Sequence, residues 1–475
     1  MTDRNGAGRK VTLLITAISA FVSPFMIAAV NIALPTISKE FSMSAVMLSW
    51  VATGFLLASG AFLVPFGKLS DIFGRKKIFL TGMILFTVSS ILCAVATSAV
   101  LLIAYRILQG LSGAMTVGIA VAILTSVFPP EDRGKAIGTN MAATYLGLSL
   151  GPFLGGVLTE QLGWRSIFYI SAVLGLMVVL LAIWRLKGEW AEARGEKFDV
   201  IGSAFLAVSI MLLMYGFTVL LDIPAFSFTV GGTLIEVPGY ALFLVGAAGL
   251  VFFVWWEKRV GNPVFNVHLF KGNPAFVFSN MATLINYSSA FAMSFLMSLY
   301  LQYTQGYTPQ TAGLITVTSP VFMTVFAPLA GRFSDRIEPR LVASFGLVFT
   351  CTALLLFIFL GNETSLGLII AGLAVYGIGT GLFSSPNTNA VMSSVGNNLF
   401  GVASGSVAMM RSIGMMLSMG IVMILFSVFI GEARISSSTP EFLKSLRVGF
   451  IIFSALSFIS IFIQFAAKKK SGSKA

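Results

Sequence analysis

Charged residues are scarce in this 475-residue chain: Asp, Glu, Lys and Arg together make up 10% of it, against 57% hydrophobic residues. The mean hydropathy of +0.93 lies well above that of a water-soluble domain and points to a protein solvated by lipid. Cysteine is almost absent. Cys93 and Cys351 are far apart, each in an apolar run, which excludes a disulfide framework and a C-x-x-C metal site and leaves two small packed hydrophobes. The single histidine, His268, stands in a polar connector beside Lys271, where a solvated side chain is the simplest reading. No metal and no cofactor are indicated, and with no P-loop or other nucleotide-binding motif, direct drive by ATP is not expected. An enzyme is the least favoured class, because no nucleophile has an adjacent base and the apolar runs hold neither carboxylate nor histidine. All 18 carboxylates fall in connectors or at the edges of those runs, Asp71, Asp199, Asp222, Glu257 and Asp335 coming nearest to a core.

What the chain has in abundance is long hydrophobic runs. About 20 largely apolar residues suffice to span a bilayer as a helix. Fourteen segments qualify: 11–33, 45–66, 78–97, 100–127, 136–158, 164–186, 200–221, 239–256, 274–301, 310–330, 341–361, 366–390, 401–430 and 446–467. A net charge of +12 could suit a nucleic-acid binder, but the basic residues are dispersed among connectors with no aromatic-interleaved patch, so nucleic acid is not an expected partner. Topology explains the charge better. Most of the 30 Lys and Arg lie at the N-terminus, in even-numbered connectors and in the C-terminal tail, while Lys39, Arg165, Arg434, Lys444 and Arg447 fall on the other side. This alternation predicts a multi-pass protein of the cell (inner or plasma) membrane with both termini cytoplasmic. The N-terminal MTDRNGAGRK leads into the first run without an A-x-A-like cleavage site, which reads as a retained helix and not a signal peptide.

An internal repeat organises these runs. Gly67-Lys-Leu-Ser-Asp71 follows the second and Gly331-Arg-Phe-Ser-Asp335 follows the tenth. If both mark the same point of a six-helix half, the halves are helices 1 to 6 and 9 to 14, with helices 7 and 8 inserted between them. The expected division is therefore 1–198, 199–272 and 273–475, in an all-α integral membrane fold. Between helices 7 and 8, residues 226–237 alternate around Gly231-Gly232 and read as a small extracellular β-hairpin.

Several motifs carry chemistry. In Gly67-Lys-Leu-Ser-Asp71-Ile-Phe-Gly74-Arg75-Lys-Lys77, the two glycines permit a tight turn, Asp71 can cap a neighbouring helix and Arg75 can pair with a carboxylate. Such a latch, with Asp335 at the equivalent point of the repeat, would hold one conformation of the two halves. Arg106-Ile-Leu-Gln109-Gly110-Leu-Ser-Gly113 lies inside the fourth run, where an arginine costs about 2.5 to 3.5 kcal/mol on insertion scales and should face the protein interior or a wet cavity. Arg106 is the leading coupling or substrate residue, with a snorkelling or structural arginine as the competing reading. Gly147, Gly151 and Gly155, spaced i, i+4, i+8, form one strip beside Pro152 and Gly156. The strip suits close, bendable packing, and packing alone would also account for it.

These motifs resemble signatures of the major facilitator superfamily. Gly67 to Lys77 is similar to its motif after the second helix, Arg106 to Gly113 to its helix-4 motif, and Gly147 to Gly156 to the helix-5 signature of its antiporter branch. Phe25 to Pro35, Trp50 to Phe55, Tyr300-Leu-Gln302, Gly306-Tyr307-Thr-Pro309 and Ala312-Gly313, with Arg411 and Gly414, resemble the fourteen-helix drug/proton antiporter family over nearly the whole chain. The resemblance implies two pseudo-symmetric six-helix bundles with an inserted pair, alternating access, a proton gradient as energy source, and multidrug efflux. Two departures stand out. Where the family has an asparagine three residues before Arg411, this chain has Ala408. Where the family reads Leu-Asp ahead of Val-Asn-x-Ala-Leu-Pro, this chain has Phe25-Met26 before Val30-Asn31-Ile32-Ala33-Leu34-Pro35.

The family's cation recognition and proton binding are attributed to intramembrane carboxylates, and here none remains. With Arg106 and Arg411 as the charges expected inside the bilayer, the cavity should be neutral to positive, favouring neutral or anionic amphipaths over lipophilic cations. Candidates for its lining are Met26, Asn31, Gln109, Tyr145, Asn280, Asn286, Tyr287, Tyr376, Asn387, Asn389, Met409 and Met410. The 21 methionines and 43 phenylalanines would suit a repackable pocket. Expected partners are small amphipathic substrates, protons and membrane lipids, with a monomer as the working unit. Two alternatives stay open. One is an exporter or flippase of a lipid, metabolite or organic anion. The other is a non-transporting membrane sensor, against which the intact Asp71 loop and the glycine strip argue.

Overall fold

The computed structural model describes residues 2–186, 188–220, 226–230, 233–261, 263–265, 273–334, 336–395, 400–431 and 433–467. Among them are fourteen helices long and apolar enough to cross a membrane. They are α1 (Gly8–Phe41), α2 (Ala45–Phe73), α3 (Arg75–Ala94), α4 (Ala99–Val127), α5 (Lys135–Leu162), α6 (Arg165–Arg185), α7 (Val200–Thr218), α8 (Gly239–Glu257), α9 (Pro274–Thr304), α10 (Pro309–Ser334), α11 (Pro339–Phe357), α12 (Leu366–Ser393), α13 (Ala403–Phe429) and α14 (Thr439–Ala466). With fourteen crossings, the start of α1 and the end of α14 fall on one face, referred to below as the terminal face. Strands β1 (Phe226–Val230) and β2 (Thr233–Val237) pair antiparallel between α7 and α8, Phe226 opposite Val237. The turn glycines Gly231 and Gly232 lie outside the described residues, as do His268, Asp222, Asp335 and the C-terminal lysines.

Polar side chains start the helices by accepting the first orphan N–H groups. Ser44, Ser98, Asp199, Asn273 and Thr308 take hydrogen bonds from Met47, Leu101, Gly202, Phe276 and Thr311. Proline opens α9, α10 and α11, where its missing N–H costs nothing. Several boundaries differ from the hydropathy reading. Helix α2 continues seven residues past 66, so Gly67 sits inside a regular helix and makes no turn. Helix α4 breaks at Met115 and Thr116, after Gly110 and Gly113, into i→i+3 bonds to Ser112 and Gly113. Helix α10 breaks near Val317, ahead of Pro320, which has no N–H to carry the ladder across.

The packing repeats. Helix α1 lies on α5, α2 on α4 and α3 on α6; eight helices later the same partnerships recur as α9 on α13, α10 on α12 and α11 on α14. The two bundles meet along α5/α10 and α2/α13, seams related by the same repeat, and at α1/α9. The inserted helices α7 and α8 pack on each other, and α7 lies against both α2 and α13.

Candidate transport site

The glycine strip is a close-approach surface. A Cβ on Gly147 would run into the backbone of Phe21, and one on Gly151 or Gly155 into Phe25, Ala28 and Ala29 of α1. Gly156 faces the other way, onto Pro309 and Gln310 of α10, while Gly313 of α10 meets the carbonyl of Pro152. Helix α5 thus touches its own bundle and the opposite bundle with backbone on both sides. In the second bundle, Gly414 of α13 presses on Leu284 and Ser288 of α9 in the same manner.

Pro35 has no N–H for the carbonyl of Asn31, which lies one turn earlier. That freed carbonyl accepts the hydroxyl of Ser298 from α9 at 2.7 Å, and Gln302 Nε2 donates to the Ile32 carbonyl at 2.9 Å. Asn31 therefore serves the joint between bundles through its backbone, while its side chain is buried. Ala45 N donates to Ala433 O at 3.3 Å and Gln310 N to Glu160 at 3.0 Å. All four contacts lie toward the face opposite the termini. The sequence reading named Asn31 and Gln302 but missed Ser298 and Glu160; the proline four residues after Asn31 was the signal available.

Arg106 is wholly enclosed between α1, α2, α3 and α4. Its Nε donates to the Val51 carbonyl at 3.0 Å and a terminal nitrogen to Gln109 Oε1 at 2.6 Å, while Gln109 Nε2 donates to Ser90 at 2.7 Å. The guanidinium lies 4.6 Å from the ring centre of Phe55, and a terminal nitrogen stands 3.5 Å from the sulfur of Met26. Met26 is the position where the resemblance places an aspartate. None of the ion pairs among the described residues includes Arg106 or Arg411.

A second polar group forms in the C-terminal bundle, in a narrow cleft lined by Thr283 and Tyr287 of α9, Ser384 and Asn387 of α12, and Val407 and Arg411 of α13. The Arg411 guanidinium lies 4.7 Å from the Tyr287 ring centre, and its Nε has no hydrogen-bond partner among the described residues. Asn387 Nδ2 donates to Thr283 at 2.6 Å, yet among the described residues the side-chain oxygen of Asn387, and those of Asn280 and Asn286 outside the cleft lining, find no donor. From the other bundle, the Tyr145 hydroxyl reaches Ser384 at 3.2 Å. Tyr376 is buried two turns before Ser384 on α12. Buried polar atoms without partners are uncommon and mark places where a ligand group can be accepted. Not every candidate joins the cleft: Asn389 donates to Ser334 at 3.3 Å, and Met409 and Met410 line a separate apolar cavity beside α7 and α8.

On the terminal face, Gly74 holds a φ of +115° between α2 and α3, a region only glycine enters freely. Asp71 caps no neighbouring helix through its side chain; it pairs with Arg75 at 2.8 Å. Arg75 also bonds Ser126 at 2.6 Å and Glu192 at 2.7 Å. The cap on α3 is Glu189, which accepts from the N–H groups of Lys76 and Lys77. Lys68 pairs with Glu196 at 2.6 Å. Each of these partners belongs to the first bundle or to the connector after α6, and the acidic connector residues were not singled out from sequence.

A family model of the Major Facilitator Superfamily matches residues 16–270 and 280–474. The chain belongs to this superfamily. It is 31% identical to the multidrug resistance protein Stp of Mycobacterium tuberculosis over 85% of this chain and 73% of the relative. The riboflavin transporter RibZ of Clostridioides difficile is 27% identical over 95% of this chain and 96% of its own length. The drug efflux pump JefA of M. tuberculosis is 28% identical over 91% and 83%. Among solved structures, a human organic anion transporter superposes with a TM-score of 0.62 at 14% identity, covering 97% of this chain and 99% of that one. A bacterial homologue of the human lysosomal transporter Spinster, inward-facing and occupied, gives 0.64 at 16% identity, covering 97% and 96%. This facilitator is thus a multi-pass membrane transporter of small molecules and not an enzyme.

Proposed function

We propose that this facilitator exports small amphipathic compounds by alternating access coupled to proton antiport, and that its interior favours neutral or anionic substrates over lipophilic cations. The carrying observation is a pair of arginines, Arg106 buried and Arg411 half-buried in the cleft, neither paired with a carboxylate among the described residues, with the Met26 sulfur standing beside Arg106. Charge is felt strongly where water is excluded, so an uncompensated guanidinium attracts an acidic group and repels a cation. Arg106 acts through its field, being enclosed, whereas Arg411 contacts substrate in the cleft. The free side-chain oxygen of Asn387 accepts a hydrogen bond from the same molecule, and the Tyr287 ring packs on its apolar part. Relatives named as drug efflux pumps support export; those named for riboflavin and organic anions support the charge preference.

The cycle rocks the two bundles about the α5/α10 and α2/α13 seams. Asp71, Gly74 and Arg75 tie the α2–α3 turn to α4 and to the connector after α6, so the latch acts by holding the lead into the inserted helices to the first bundle, and Gly147, Gly151, Pro152, Gly155 and Gly156 give α5 the surface on which the bundles turn. With no carboxylate at mid-span, the proton is carried by a carboxylate at the edge of a span. The terminal face is cytoplasmic in this reading, as the Lys and Arg distribution favours, in a cell membrane and with a monomer as the working unit. Substrate-induced proton release from purified protein in weakly buffered detergent tests the whole. Release with neutral or anionic amphipaths, lost in Arg411→Ala, is expected. Release with cationic drugs alone would overturn the charge preference. Arg411-dependent binding of an anionic amphipath without any release favours the second reading, an organic-anion exporter without proton coupling.

A further inference from the structure

Apart from the polar cleft, a half-open apolar cavity of about 270 Å³ lies between α7, α8 and α13, with Phe265 of the connector after α8 at its wall. Leu213, Met214, Leu250, Phe253, Met409 and Met410 form half of its wall, and among the described residues no polar side chain lines it. Cavities of about 150 Å³ walled this way stay dry and take up apolar ligands. Met416, also at the wall, fills the space over Gly60 of α2. The cavity therefore lies directly behind the α2/α13 seam where the bundles meet, covered on the outside by the inserted helices.

Its occupant follows from where it opens. Val254 at its edge is exposed, next to exposed Val251 and Trp255, all within an apolar span whose surroundings are lipid. Leu250 and Phe253 sit in the last two turns of α8, and Met409 and Met410 in the second turn of α13, while Met214 and Met416 lie deeper, so the cavity runs from the leaflet on the terminal face to the middle of the membrane. Just beyond α8 on that face stand exposed Lys258 and Arg259, with Arg259 stacked 4.0 Å over the Trp255 ring. A cationic pair above an apolar slot matches one molecule abundant there, a phospholipid with its phosphate at the surface and its chain below. An amphipathic transport substrate would bring polar groups that this wall cannot satisfy.

We propose that this cavity is a lipid site: it holds one acyl chain of a phospholipid from the terminal-face leaflet, with Lys258 and Arg259 at the phosphate. The chain acts as a wedge behind the α2/α13 seam, so its occupancy biases the rocking of the bundles. This site is independent of what the facilitator exports.

The test uses the full-length protein in nanodiscs containing phosphatidylglycerol with a diazirine on its acyl chain, irradiated and mapped by peptide mass spectrometry. Labelling at Met214, Leu250, Met409 and Met410 is expected to exceed severalfold that at Trp184 and Phe462, exposed residues near the same face. Leu250→Trp, which fills the cavity, should cut labelling of Met409 and Met410 severalfold and leave Phe462 unchanged. Labelling of the wild-type wall no higher than at Trp184 and Phe462 overturns the site. Loss of that labelling on adding an apolar transport substrate also overturns it, by assigning the cavity to substrate. Labelling that persists while no proton release or export is found leaves the lipid site standing and removes only the transport mechanism.

Discussion

At the scale of the residue, one substitution carries the argument about charge. The Met26 sulfur occupies the place against Arg106 where a carboxylate would form an ion pair, and the guanidinium is held by Val51, Gln109 and the Phe55 ring instead. Met26→Asp supplies that carboxylate. It should raise export of a cationic dye such as ethidium relative to an anionic amphipath by at least about tenfold, the effect of one charge-assisted hydrogen bond of about 1.5 kcal/mol or more, read in everted vesicles. An unchanged ratio would remove Arg106 from the charge preference. The two glycines of the Gly67 to Lys77 motif separate in the same spirit. Gly67 is helical and has open space where a Cβ would go, so Gly67→Ala should leave the melting temperature in detergent within a degree or two. Gly74→Ala forces φ +115° on an L residue and meets the Glu189 side chain, which should cost about 1 to 3 kcal/mol.

At the scale of the element, α5 is the helix whose two faces matter most. The strip of Gly147, Gly151 and Gly155 brings its backbone onto α1, and Gly156 brings it onto α10. Gly151→Val should therefore destabilise the N-terminal bundle, by about 1 to 3 kcal/mol for overpacking, seen as a lower melting temperature. Gly156→Val should chiefly slow transport, because the clash is with the moving partner and not with the helix's own bundle. If both variants lose stability equally and transport in proportion, the distinction between the two faces fails. Proline has a similar double use in α1. The i→i+4 bond that Pro35 removes is replaced by the Ser298 hydroxyl from the opposite bundle, so a local weakness of one helix becomes a tie between bundles.

At the scale of the whole molecule, the bundles are tied on the side away from the termini by Ser298, Gln302, Glu160 and the Ala45 to Ala433 backbone bond. Ser298→Ala combined with Gln302→Leu should loosen that side, raising hydrogen exchange at the ends of α1 and α9 while the protein stays folded. Unaltered exchange there would mean that the ties do not hold this state. The span count, the repeat after α2 and α10, the inserted pair and the membrane class were legible in the sequence. Hydropathy over about 20 residues is a property of the run itself, and no neighbour is needed to read it. Helix ends were less legible, because α2 and α1 run on through polar or proline-containing stretches that tertiary contacts stabilise. The grouping of site residues was decided by the tertiary structure alone. Arg106 and Met26 are 80 residues apart, and Tyr145 and Ser384 are 239 apart. Which of them meet depends on the rotation of each helix about its axis, and that is set by packing against neighbours distant in the chain. For the same reason Met409 and Met410, apolar candidates for the substrate cavity by sequence, turn instead to the lipid-facing cavity with α7 and α8.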